Sequence, residues 1–296
     1  MNIELRELKY FLAVAQEGSI SAAAEYLFIT QPSLSRQMQH LESEVGGPLF
    51  VRGSRRITLT ERGRLLKKRA EELLELYGKT LAEVSTPAKD VSGEVFIGGG
   101  ETPVMRYVVR AALNVSRMHP RVKFHFFSGD APSVMEKLDK GLLDFGVVID
   151  IADLSQYRSL RLPEGDAWSA IMRADDELAE RECVTPADLA GKKVVCSDQS
   201  YVRGLISGWM GVSAEDLAVA ATYNLAYVGS QLAAEGAGYA LCLDGIINTE
   251  GTGLVSRRLT PEIITHADVI WKKYGMFSRP AELLLSELKN LCGKQK

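Results

Sequence analysis

Residues 18–63, GSISAAAEYLFITQPSLSRQMQHLESEVGGPLFVRGSRRITLTERG, constrain this chain most: two short helical patterns meet at a tight turn and run into an arginine-rich hairpin. Ile20, Ala23, Ala24 and Leu27 recur at i, i+3, i+4 and i+7, and the small residues on that face let another helix approach closely. Ser19 is placed to cap this helix. After Phe28-Ile29, Thr30 is placed to cap a second helix, with Pro32 in the first turn, where a missing N–H costs nothing. Leu34, Met38, Leu41 and Val45 predict its buried stripe, while Ser33, Arg36, Gln37 and His40 share a polar face at helical spacing.

Upstream, Leu5, Leu8, Leu12 and Ala15 predict a further amphipathic helix that completes a three-helix core. Downstream, residues 48–59 read as a hairpin in which Val51 and Ile57 flank Arg52, Arg55 and Arg56 around a Gly-Ser turn. Permanently charged guanidinium groups in such a turn suit phosphates or the minor groove. The whole is a winged helix-turn-helix. Its candidate DNA contacts are Ser19, Gln31, Ser33, Ser35, Arg36, Gln37, His40, Arg52, Arg55 and Arg56.

Ala23-Ala24-Glu25 with Leu27, then Gln31-Pro32-Ser33-Leu34-Ser35-Arg36-Gln37, Leu41-Glu42, Gly46, Leu49-Phe50 with Arg52, and Leu59-Thr60 with Gly63 resemble the signature of LysR-type transcriptional regulators. The resemblance extends over the full length in the order of elements. It departs at Gly47, where that family has a bulkier residue, and a looser wing is expected there.

Net charge is −3, so bulk positive charge does not carry nucleic-acid binding. Basic character is local: nine Lys and Arg lie between Gln31 and Arg69 against three Glu. No signal-peptide pattern or membrane-length apolar run is present, which predicts a cytoplasmic protein with no membrane partner.

From Glu61 to about Thr86, Leu66, Ala70, Leu73, Tyr77, Leu81 and Val84 repeat at spacings of four and three, the seam of a dimerising linker helix. Ser85-Thr86-Pro87 ends it. The expected domains are a DNA-binding head at 1–60, the linker at 61–86, a hinge at 87–93 and a regulatory domain at 94–296. Its first lobe takes about 94–164 and 266–296, its second about 165–265.

The regulatory segment alternates strand and helix. Strands are predicted at 94–97, 122–127 and 145–149, with helices at 103–118 and 131–140 between them, a βαβαβ pattern and hence a parallel sheet. A second unit puts strands at 193–196, 218–222 and 239–243 and helices at 202–210 and 226–235; an apolar run at 267–271 and a helix at 281–291 return to the first. Ligands of such sheets sit beyond the carboxyl ends of strands. Here those ends hold Gly100 and Thr102, Ser128 and Gly129, and Ile149.

By resemblance, the fold is a multidomain one in which a type 2 periplasmic-binding-protein-like α/β domain of two lobes follows the head. The resemblance makes the interlobe cleft an effector site formed by Gly100, Thr102, Ser128, Gly129, Ile149, Ser197, Ser200 and Arg203. Hydroxyls, helix N-termini and Arg203 make a small anion the expected effector. It further implies a homodimer or homotetramer on double-stranded promoter DNA, with RNA polymerase a further partner open to such a regulator.

An enzyme is not expected. GxSxG, HExxH and GxGxxG are absent, the four His lack metal-ligand spacing, and Cys183, Cys196, Cys242 and Cys292 show no CxxC. No cofactor or metal is therefore predicted, and Cys196 reads as a buried small apolar residue. A solute-binding protein shares the lobe architecture but does not explain the head.

Overall fold

A computed structural model describes residues 3–52, 57–84, 91–151, 153–275 and 277–293. The chain divides into two compact units, Met1–Ser85 and Thr86–Lys296.

In the first unit, helices α1 (Leu5–Glu17), α2 (Ile20–Tyr26) and α3 (Gln31–Glu44) precede a hairpin of β1 (Phe50–Arg52) and β2 (Ile57–Leu59), and α4 (Glu61–Val84) follows. Leu8, Phe11, Val14, Ala23, Ala24, Leu34, Met38, Leu41 and Leu49 make a closed core. The α1 stripe is turned from its expected position. Leu8, Phe11 and Val14 are deepest, whereas Leu5 and Leu12 are half-buried, because α1 meets α2, α3 and α4 at once and buries a broader face than one partner would cover.

Ser19 Oγ accepts from the Ala22 N–H at 3.4 Å and caps α2. Thr30 occupies the α3 N-cap, yet its side chain makes no capping bond; its carbonyl instead accepts from the Ser33 and Leu34 amides. The chain reverses between the two helices at Phe28, whose φ of 55° lies in the left-handed region.

In the hairpin, Phe50 faces Leu59, Val51 faces Thr58 and Arg52 faces Ile57. Its base is tied rather than loose: Glu42 Oε1 accepts from the Leu49 N–H at 2.8 Å, and Arg62 Nη1 donates to the Gly46 carbonyl at 2.6 Å. A Cβ on Gly47 would fall 1.9 Å from that Nη1. The Arg62 guanidinium thus fills the space a bulkier residue would take.

The α4 seam needs a larger correction. Ala70 is 0% exposed and joins the head's own core with Leu66 and Leu74 packed beside it. Further along, Leu73, Tyr77 and Leu81 are 50%, 39% and 48% exposed. The helix therefore spends Leu66, Ala70 and Leu74 on its own head and leaves Leu65 and the later apolar residues uncovered.

In the second unit, β3 (Gly93–Gly99), β4 (Val122–Ser128) and β5 (Phe145–Ile149) are parallel, with β3 central. The helix expected at 103–118 is one 3-10 turn, Pro103–Met105, followed by α5 (Arg106–Met118); α6 (Ala131–Asp139) precedes β5. Three strands escaped sequence reading: β6 (Tyr157–Arg173), β7 (Cys183–Val184) and, after further elements, β11 (Leu254–Leu259). Between them lie β8 (Val194–Ser197), α7 (Ser200–Met210), β9 (Val219–Tyr223), α8 (Ala226–Ala234) and β10 (Tyr239–Leu243); β12 (Ile264–Lys272) and α9 (Arg279–Gly293) close the chain.

Along the sheet the order is β4-β3-β5-β12-β6-β10-β8-β9. Two sets of cores lie under it, one around Ile97, Phe145 and Leu284 and the other around Trp168, Leu189 and Ile206, and these are the two lobes. β6 and β12 run through both. β6 pairs with β12 at residues 157–161 and 165–167 and with β10 and β11 beyond, and β12 carries a bulge between His266 and Asp268.

Candidate nucleic-acid interface and ligand cleft

On α3, Leu34, Met38 and Leu41 are anchored in the core, so the opposite side must face out. Gln31, Ser33, Arg36 and His40 are exposed; Ser35 and Gln37 are half-buried. Arg36 has no ion-pair partner among the described residues, leaving its five donors available to a base edge or phosphate. His40 is less free. Its Nδ1 lies 2.7 Å from Oε1 of Glu7, a buried carboxylate whose Oε2 accepts from the Glu4 N–H at 3.0 Å. This pair locks α3 onto α1, so His40 positions the helix. Arg55, Arg56 and the side chain of Arg52 lie outside the described residues.

The carboxyl ends of β3, β4 and β5 open onto a cavity of about 70 Å³ lined by Gly100, Gly129, Ile149 and Ser197 among others. A neighbouring cavity of about 360 Å³ takes Thr102 and Ser128, and Gly100, Glu101 and Ile246 line both. Six of the eight expected effector residues therefore border one hollow. Ser200 starts α7, its side chain outside the described residues.

Arg203 does not line either cavity. It reaches the other way along α7, where Nη2 donates to the Ala214 carbonyl at 3.4 Å. Residues three apart on a helix share a face, so it is the reach of the long Arg203 side chain toward the segment after α7, not its register with Ser200, that takes it away from the cavities.

Thr102 is also committed elsewhere: its hydroxyl donates to Asp166 Oδ2 and accepts from the Val104 N–H at 3.3 Å. Burial raises the Asp166 carboxyl above the usual carboxylate range, against the opposing pull of Thr102 and Arg106. A raised folded-state pKa disfavours the folded state when the group is ionised, so its contribution to stability improves as pH falls through that pKa. Asp166→Asn keeps an acceptor for Thr102 and removes the charge. Urea midpoints taken from about pH 7 down to about pH 4 should show wild type gaining on Asp166→Asn as the solution is acidified. A constant gap between the two would mean Asp166 does not titrate in this range.

Sequence reading missed Glu101, Trp168, Gln199, Tyr223 and Asn224 in the cavity wall. Tyr223 and Asn224 were findable, since they sit at the carboxyl end of β9 and follow the strand-end rule already applied to β3. Trp168 lies on the unpredicted β6. Glu101 spans the lobes: Oε2 accepts from the Ala226 N–H, the first of α8, at 2.9 Å.

Cys196 and Cys242 are buried, and burial pushes both thiols up, that of Cys242 to about 12. At neutral pH they are packed as thiols rather than nucleophilic thiolates. Among the described residues, no group of three or more His, Cys, Asp or Glu could hold a metal, and no helix is long and apolar enough to cross a membrane.

Residues 5–64 match the family described as bacterial regulatory helix-turn-helix protein, lysR family, and residues 88–293 match the LysR substrate binding domain. The chain belongs to the LysR family. It is similar to the transcriptional regulator YfeR of Shigella flexneri, 28% identical over 96% of this chain and 92% of that one, and to the transcriptional regulator IlvY of Escherichia coli K12, 32% identical over 70% of each. Among solved structures, the LysR-family regulator CbnR superposes with a TM-score of 0.78 at 20% identity, covering 98% of this chain and 99% of CbnR. This LysR-family protein is thus a DNA-binding transcriptional regulator with an effector-binding domain, not an enzyme.

Proposed function

We propose that this LysR-family regulator binds an interrupted palindrome in promoter DNA as a homodimer or homotetramer, with α3 of each head in a major-groove half-site, and that a small molecule in the interlobe cleft sets its activity. The observation that carries the DNA reading is the outward face of α3, where exposed Ser33 and Arg36, without an ion-pair partner among the described residues, stand opposite the core anchors Leu34 and Met38. CbnR, the structural neighbour, has been solved full-length with its target DNA, which supports the same use of the head here. Two heads related by a two-fold axis require two half-sites.

Self-association is supported by uncovered apolar surface in both units. Leu73, Tyr77 and Leu81 serve on α4; Val109 and Leu113 of α5 and Phe126 of the edge strand β4 are exposed in the second unit. Work on a promoter places the protein in the cytoplasm, where RNA polymerase is an available partner.

The two adjoining cavities, about 70 Å³ and about 360 Å³, are on the scale of a pocket for a small molecule. The anionic class expected from sequence rested on hydroxyls, helix N-termini and Arg203 together, and of these Arg203 faces Ala214.

If Arg36 makes a bidentate base contact, Arg36→Ala costs about 1 to 3 kcal/mol of operator binding and relaxes selectivity at one base pair of each half-site. Titrations of the promoter and of single-base variants at several salt concentrations measure this. An Arg36→Ala protein with wild-type affinity and selectivity would remove Arg36 from base reading.

A further inference from the structure

We infer that the cleft takes a small ligand bearing a positively charged nitrogen, gripped by Glu101 and Asp130, a reading that rests on the cleft being the effector site. Among the described residues lining the two cavities, Glu101 and Asp130 carry the only formal charges, and both are negative. Arg106 and Arg203 follow lining residues directly in sequence but line neither cavity, and Lys137, which rests on the Phe127 ring at 4.9 Å, does not line either one.

Both carboxylates use one oxygen at a helix N-terminus. Glu101 Oε2 accepts from the Ala226 N–H of α8, and Asp130 Oδ1 accepts from the Ser133 N–H of α6 at 3.0 Å. The positive ends of these two helices, which would otherwise attract an anion, are already occupied by side-chain carboxylates. At these two helices an anionic ligand would have to displace them or approach two like charges, which leaves, among the described residues, only the N-terminus of α7, whose N-cap Gln199 makes no side-chain capping bond, to receive one. Oε1 of Glu101 and Oδ2 of Asp130 have no partner among the described residues and can accept from an ammonium or guanidinium. Trp168 and Tyr223 add aromatic wall, which suits a cation over an anion.

Glu101 also reaches from the β3 end of one lobe to α8 of the other, so a cation held by it is held against both lobes. Ligand charge and lobe position are coupled through one side chain. The sequence separation of 125 residues between the two partners explains why no local pattern reveals it.

The test uses the full-length protein with ethanolamine, putrescine and agmatine set against malonate and succinate at matched ionic strength, read by calorimetry. The amines should bind about tenfold or more tightly than the carboxylates, and Glu101→Gln or Asp130→Asn should each remove about tenfold or more of that affinity. Glu101→Gln retains an acceptor for the Ala226 N–H, so its unliganded melting curve, compared with wild type, separates lost charge from lost fold. Binding of the carboxylates with none of the amines, no binding by any amine, or amine affinity unchanged in both variants overturns the inference. Ile246→Trp fills the space the two cavities share. Amine binding that survives Ile246→Trp occurs elsewhere and defeats the cleft reading itself, whereas carboxylate binding that Ile246→Trp abolishes keeps the cleft and defeats only the charge assignment.

Discussion

Replacing Leu73 with glutamate is expected to yield a protein whose head still folds but whose operator affinity falls by about 10²- to 10⁴-fold, the loss of a tethered second binding event. Leu73, Tyr77 and Leu81 leave apolar surface in water along the later turns of α4, and a second copy of the same helix is the partner that a two-fold axis supplies. On that axis a glutamate meets its own copy, and two like charges would have to be desolvated together. Ala70, from the same heptad pattern, would be a misleading choice because it lies inside the head, and its replacement would damage folding instead. Sedimentation velocity beside operator titration measures both consequences. A Leu73→Glu protein that remains dimeric at binding concentrations would mean that the main contact lies elsewhere.

The second large effect is on the head itself. Phe11 is fully buried, its ring 5.3 Å from that of Phe50, so it joins α1 to the base of the wing. Phe11→Ala should cost about 3 to 5 kcal/mol, a large part of the stability of a unit this small. Promoter binding should disappear at temperatures where wild type binds. The cores of residues 86–296 share no residue with that of the head, so the unfolding transition of the second unit should stay in place. Calorimetry with circular dichroism would resolve the two transitions. A single transition shifted as a whole would show that the units unfold together.

What could be read in advance follows the range of the interactions involved. The α2 and α3 patterns carry their own periodicity, and the buried Leu34, Met38 and Leu41 fixed which side of α3 faces outward. β3 and β5 are short, largely apolar segments and β4 alternates through Val122, Phe124 and Phe126, and their bounds hardly moved. β6 was invisible because Pro163 and Gly165 sit mid-strand and read as a break. Pro163 is tolerated because the ladder to β12 skips residues 162–164, and Gly165 resumes it opposite His266. In the cleft, strand-end rules located Gly100, Gly129 and Ile149, and the family resemblance Ser197, but not what each side chain does. That Thr102 is taken by Asp166, that His40 serves Glu7 and that Arg203 turns to Ala214 are contacts between residues 64, 33 and 11 apart in sequence, beyond what a local pattern carries.

Among the described residues, the chain passes between the lobes twice, on β6 and on β12, and the two strands are hydrogen-bonded to each other where they cross. A joint of this kind cannot swivel like a flexible linker, because swinging freely would strip paired backbone groups of their partners. It can only twist, as a two-stranded ribbon. Its compliance is concentrated at the bulge between His266 and Asp268, opposite the stretch of β6 that the ladder skips. An effector that acts by moving the lobes, as proposed, would work against a torsion spring with a fixed axis and a short travel. Substitutions that stiffen that point would mute the signal without touching any residue in the cleft.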